Sequence, residues 1–205
     1  DDLSYAERVL GYESQIAEAG IRVLSSASTV SAFSAAVMKI IGPESPSWFT
    51  SFLAPATRRT ANIGTARSLL RTIGKPIRIL RGGSLQTVSG WREKRTFRFH
   101  PSQKMSPIHG HVFESADALW LPRIRSSLKD VAMYVDVNIP GANAFLSLAA
   151  RSNLIRGLLQ QTIGFGTTAA SQFGSETGGV AYELEGEGGR SARFALVAKE
   201  KSYMV

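Results

Sequence analysis

Apolar positions along this chain keep two rhythms, one near 3.6 residues and one of two. Over residues 4–19, Tyr5, Val9, Leu10, Ile16 and Ala17 recur at helical spacing, with Ser4 as a plausible N-cap and Gly20 as the stop. The short apolar run "IRVLSS" predicts a strand, and "ASTVSAFSAAVMKIIG" a loop leading into a buried helix that stops at Gly42. Small residues crowd the start of that helix, as close packing on another backbone requires. "SWFTSFLAPA" then predicts a strand, and "ANIGTARSLLRTIGKP" a helix ended by Gly74 and Pro76.

The middle of the chain is strand-rich. "IRILRG", "SLQTVSGW" and "RTFRFH" predict three strands, the last two alternating by side, and "GHVFES" a further one. "ADALWLPRIRSSL" predicts a short helical piece broken by Pro122, "VAMYVDVNIP" a strand, and residues 141–164 one or two helices. "GTTAASQFGSETGG" has no core pattern and is expected to be a polar loop. The closing segment "VAYELEGEGGRSARFALVAKEK" predicts a hairpin, with Tyr182 and Leu184 sharing one face with Phe194, Leu196 and Ala198. On that pattern Glu183, Glu185 and Glu187 form the solvated side of its first arm. No internal repeat and no Pro/Gly/Ser-rich linker divides the chain. The expectation is a single α+β domain over residues 1–205, with a mixed, largely antiparallel sheet and helices packed on one face.

Composition narrows the functional classes. At 205 residues, 43% hydrophobic and 20% charged, the chain has the make-up of an ordinary globular domain. No apolar run approaches a membrane span. The absence of Cys excludes disulfides and thiolate chemistry, and with it a cytoplasmic setting is expected. Charge is uneven: residues 58–98 hold eleven Lys or Arg against the single acid Glu93, a net of +10, whereas the whole chain carries +8.

The chemical inventory is sparse. Neither a dinucleotide G-x-G-x-x-G nor a phosphate-loop signature is present, and no G-x-S-x-G elbow presents a nucleophile. "HGH" places His109 and His111 on one side of an extended segment, where His100, Glu114 or Asp117 could join them around a metal. Solvent-facing histidines are the simpler expectation. The basic segment admits three readings: a polyanion surface interleaved with Trp91, Phe97 and Phe99; a small-anion site in "LRGGSLQTVSGW", where Gly82 and Gly83 let a ligand approach Arg81; or a solvated face.

Taken together, "DDLSYAERVLGYESQIAEAGIRVLSSASTVSAFSAAV", "GGSLQTVSGWREKRTFRFHPSQ", "ESADALWLPRI" and the closing "YELEGEGGRSARFALVAKEKSYMV" resemble, in element order over nearly all of the chain, the substrate domain of saccharopine dehydrogenase-like oxidoreductases. One departure stands out: where the family's loop carries Pro-Gly, this chain has Thr29-Val30-Ser31.

The resemblance implies an N-terminal Rossmann domain ahead of Asp1 and a further helix beyond the last strand. It implies NAD or NADP held mainly by that other domain, and a homodimer formed through the sheet. It also implies a carboxylate-bearing substrate met by Arg81 and Arg98, with Ser28 and Ser31 at the mouth, Trp91 as a wall and His100 as proton relay. A partner-binding domain of the same descent and a nucleic-acid-binding domain are the alternatives, the second disfavoured. The residues by themselves do not identify the substrate.

Overall fold

Phe49 and Leu53 point to one side of the first strand, and Phe52 and Ala54 to the other. A strand apolar on both faces must lie inside a sheet that is covered twice. The computed structural model, which describes residues 3–23 and 29–199, places it there. This strand, β1 (Pro46–Ala54), runs parallel to β6 (Asp130–Val135) and antiparallel to β7 (Thr177–Gly186), which pairs with β8 (Ser191–Lys199) at the edge. Beyond β6 the sheet splits. Leu80 of β2 (Pro76–Arg81) bridges Val131 near the start of β6, and β2 pairs with β3 (Ser84–Ser89). Toward its end β6 pairs with β5 (Ile108–Phe113), which carries β4 (Lys94–Phe97). The fold is α+β, with a mixed, largely antiparallel sheet.

Helices cover one face. The helices α1 (Leu3–Gly11), α2 (Glu13–Glu18), α3 (Thr29–Ile40), α4 (Thr57–Thr60), α5 (Ile63–Thr72), α6 (Asp117–Ile124), α7 (Ala142–Ala149), α8 (Asn153–Gln161) and α9 (Ile163–Phe173) follow in chain order. Val37, Leu70, Leu121 and Leu146 from four of them join Phe49, Val131, Met133, Tyr182 and Leu184 of the sheet in the main core. The opposite face is closed by the β4–β5 hairpin. There Phe97, Ile108 and Val112 meet Phe52, Ile77, Ile79 and Tyr134, with the Phe52 ring 5.4 Å from Phe97 and 5.8 Å from Tyr134.

Several expectations change in the folded chain. The first helix breaks at Tyr12 into two, and residues 21–23 are irregular rather than strand; the rest of "IRVLSS" lies outside the described residues. Pro122 sits inside α6 without ending it. Of the expected polar loop, residues 177–179 open β7 and residues 166–173 belong to helix α9, whose Ala170 is buried. Its Gly, Thr and Ser residues carry little helix propensity, so packing beside α4 and α5 outweighs it. Glu183 is not solvated: it is buried under Arg95 and Arg193. Covering that sheet face with a hairpin turned an outward strand position into an inward one.

Candidate functional site

The alternation of β5 decides what its "HGH" does. Ile108, Gly110 and Val112 face the sheet, so His109 and His111 project from the other side, toward α7. Gly110 is required at this crossing. A Cβ there would lie 2.7 Å from Tyr134 Cβ and 3.0 Å from its carbonyl carbon, closer than real side chains approach. The glycine seats the hairpin, and the two imidazoles flank it.

Between this strand side and α7 lies a cleft of about 500 Å³, lined by Lys94, Arg95, Thr96, His109, His111, Ala144, Ser147, Leu148 and Arg151. Among the described residues the lining holds three permanent cations and two imidazoles, and no carboxylate. Arg95 only borders it, because its guanidinium lies 3.7 Å over the Trp48 ring and 3.2 Å from Glu183. Lys94 and Arg151 are the cations left for a ligand. The walls are locked together behind them. Asp136 accepts from the His109 backbone N–H at 2.8 Å and from Asn143 Nδ2 at 2.6 Å, and Asn143 is on α7. A short carboxylate–amide link therefore sets the width of the cleft.

His111 is the deepest polar group of the lining and is buried. Its ring stacks on Trp91, 5.1 Å between centroids and 6° from parallel. Burial holds the imidazole below its ordinary range, against the pull of Asp136, and Lys94 adds to the depression. Its Nδ1 makes no well-formed hydrogen bond among the described residues. His109 Nδ1 is 3.1 Å from the Thr96 hydroxyl. No cluster of three or more His, Asp or Glu able to hold a metal occurs among the described residues, and the metal reading of "HGH" finds no third ligand there.

The residues singled out from sequence are dispersed. Arg81 is engaged by Glu93 at 2.7 Å on the hairpin side of the sheet. Gly82 and Gly83 form a two-residue turn with φ of 60° and 82°, where glycine is favoured, and the Gly82 N–H is taken by Asp130. They close the β2–β3 hairpin. Arg98 is exposed just beyond β4. His100 is exposed and caps a 3-10 turn, accepting from the Ser102 N–H. Trp91 is fully buried, so it backs the cleft through His111 and forms no wall of its own. Ser28 lies outside the described residues. Ser31 is at the start of α3 on the helical side, hydrogen-bonded to Asp117. The basic segment is also less free than its charge suggests: Arg58, Arg78, Arg81 and Arg95 are ion-paired to Glu176, Glu7, Glu93 and Glu183.

Asp117 is a second buried acid, 2% exposed, with the Ser34 hydroxyl 2.6 Å from its Oδ2. Burial raises it above the ordinary carboxyl value of 3.8, and the hydrogen bonds from Ser34 and Ser31 offset this only in part. The folded state therefore holds this proton more tightly than the unfolded state. Its contribution to stability is greatest below 3.8 and declines as pH rises through the folded-state value. The isosteric D117N change should remove that decline. Urea unfolding at pH 4, 5, 6 and 7 is expected to show D117N gaining on the parent protein as pH rises; a constant offset would mean the carboxyl is already ionised when buried.

Among the described residues the one parallel strand pair is β1–β6, and β1 leads through Ala54-Pro55-Ala56 to the four-residue α4, with no glycine for a pyrophosphate to approach. That connection therefore does not offer the close backbone approach a dinucleotide's pyrophosphate needs. No helix among the described residues is long and apolar enough to cross a membrane. Compared with known proteins, the chain matches no family model and no curated protein.

Proposed function

We propose that this chain is the substrate-binding domain of a saccharopine dehydrogenase-like NAD(P)-dependent oxidoreductase, and that it orients a carboxylate-bearing substrate in the cleft between β4–β5 and α7. The observation that carries this reading is a concave site whose lining, among the described residues, includes Lys94, Arg151 and two histidines and no acid. A carboxylate held by Lys94 and Arg151 would lie over His111, which takes the proton-handling role that the sequence suggested for His100. The nicotinamide cofactor belongs to another domain, and nothing in the cleft is assigned to it.

Two rivals fare differently. A nucleic-acid surface needs a row of free cations, and four of those in the basic segment are spent on internal ion pairs. Dimerisation through the sheet has few places left, because helices cover one face and the β4–β5 hairpin much of the other. An edge remains, β8 for example, although Gln103 already donates to the Ala195 carbonyl there at 3.1 Å.

Calorimetric titration with succinate tests the proposal. Saturable binding is expected that tightens as pH falls below 6.5, the ordinary histidine value, as His111 gains charge beside the anion. Arg151→Met should weaken it about tenfold, the worth of one charge-assisted hydrogen bond. Equal binding by the parent protein and Arg151→Met would remove the cleft from consideration.

A further inference from the structure

The cleft has two chemically different walls. The strand side presents Lys94, Thr96, His109 and His111, while α7 presents Ala144 and Leu148, with Ser147 between them. Leu148 is 53% exposed, and its neighbour Phe145 is 49% exposed on the same helix, although Leu146 and Ala149 of α7 are buried. A helix this short has already anchored itself through those buried residues. Of the two exposed side chains, Leu148 lines the cleft, whose other wall is cationic, and Phe145 is exposed three residues earlier on the same helix; apolar surface beside fixed charge suits a ligand with both characters. His111 adds a polar floor to the cleft: it is buried, it is part of the lining, and its ring is held in place by stacking on Trp91.

Resting on the anion-site reading above, we infer that the cleft takes an amphiphilic carboxylate, an acid group carried on an unbranched alkyl chain. The carboxylate sits between Lys94 and Arg151 with His111 beneath it, and the chain runs along Leu148 toward Phe145. A dicarboxylate fills only the cationic half. An alkyl chain also covers the exposed half of Leu148, and each methylene laid against that wall adds to affinity until the chain passes Phe145.

The test is calorimetric titration of the full chain with acetate, butyrate, hexanoate and octanoate, all below their micellar range, with circular dichroism confirming that the fold is retained. Affinity is expected to rise about twofold per added methylene, half the free energy of full burial because one side of the chain stays open. Leu148→Ser should flatten that rise while acetate still binds, and Arg151→Met should weaken every acid in the series by a similar factor. Binding independent of chain length would overturn the inference and leave the anion site standing. Failure of every acid, acetate and succinate included, would overturn both.

Discussion

Replacing Trp91 with alanine is expected to destabilise the protein by about 4 kcal/mol, the usual cost of emptying a buried large aromatic site. Trp91 is completely buried, joins the main core and stacks on His111, so its loss opens a cavity directly behind the cleft. The backbone adds a second test. Trp91 has φ of 67°, a left-handed conformation that costs a side-chain-bearing residue about 1 kcal/mol or more. Trp91→Gly relieves that strain, so it should be no more damaging than Trp91→Ala despite removing one more carbon. Trp91→Phe keeps a ring on His111 and deletes an indole N–H that has no hydrogen-bond partner among the described residues, so it should cost far less. Urea denaturation of the three variants gives the order; a glycine variant clearly worse than alanine would contradict the strained backbone.

Gly110→Ala is expected to be nearly as severe, about 3 kcal/mol, at the upper end for overpacking. The clash is with Tyr134 Cβ and backbone, at 2.7 to 3.2 Å, and the backbone of a strand in the sheet cannot step aside. Relief requires β5 to lift from β6, which carries His109 and His111 with it. Loss of succinate binding should therefore accompany loss of stability. Gly157→Ala is the matched control. Nothing lies within 4 Å of a Cβ at Gly157, inside α8, so alanine there should stabilise by about 1 kcal/mol through helix propensity. Thermal melts of both variants check the pair. A benign Gly110→Ala would mean that the hairpin does not lie as close to the sheet as described.

Much of the fold was legible along the chain because secondary structure answers to local periodicity. β1 announced itself through the run "SWFTSFLAPA", and the closing hairpin through alternation around Gly188 and Gly189, both with positive φ. Helix α9 did not, because its stability comes from the neighbours it packs on and little in its own sequence prefers a helix. Glu183 misled for a related reason. Strict alternation marks which side a residue faces, but only the β4–β5 hairpin determines that this side is closed.

The candidate site was less legible still. "HGH" was visible as a pair of imidazoles on one side of a strand, and the accumulation of cations between residues 58 and 98 was visible as charge. Lys94 and Arg151 carried no shared signal, since they stand far apart in the chain and line one cleft only when α7 packs beside the β4–β5 hairpin. Arg81 looked available until Glu93 was placed beside it, and Trp91 looked like a surface aromatic until the core closed around it.

By itself, then, the sequence determined the class of fold, the order of most elements, and an excess of positive charge in the strand-rich middle. Those follow from hydrophobic periodicity and composition, which are properties of neighbouring residues. The tertiary structure alone decided which cations are spent in ion pairs and which are left facing a cleft. Ion pairing and burial depend on distances across the fold, and local sequence does not encode those distances.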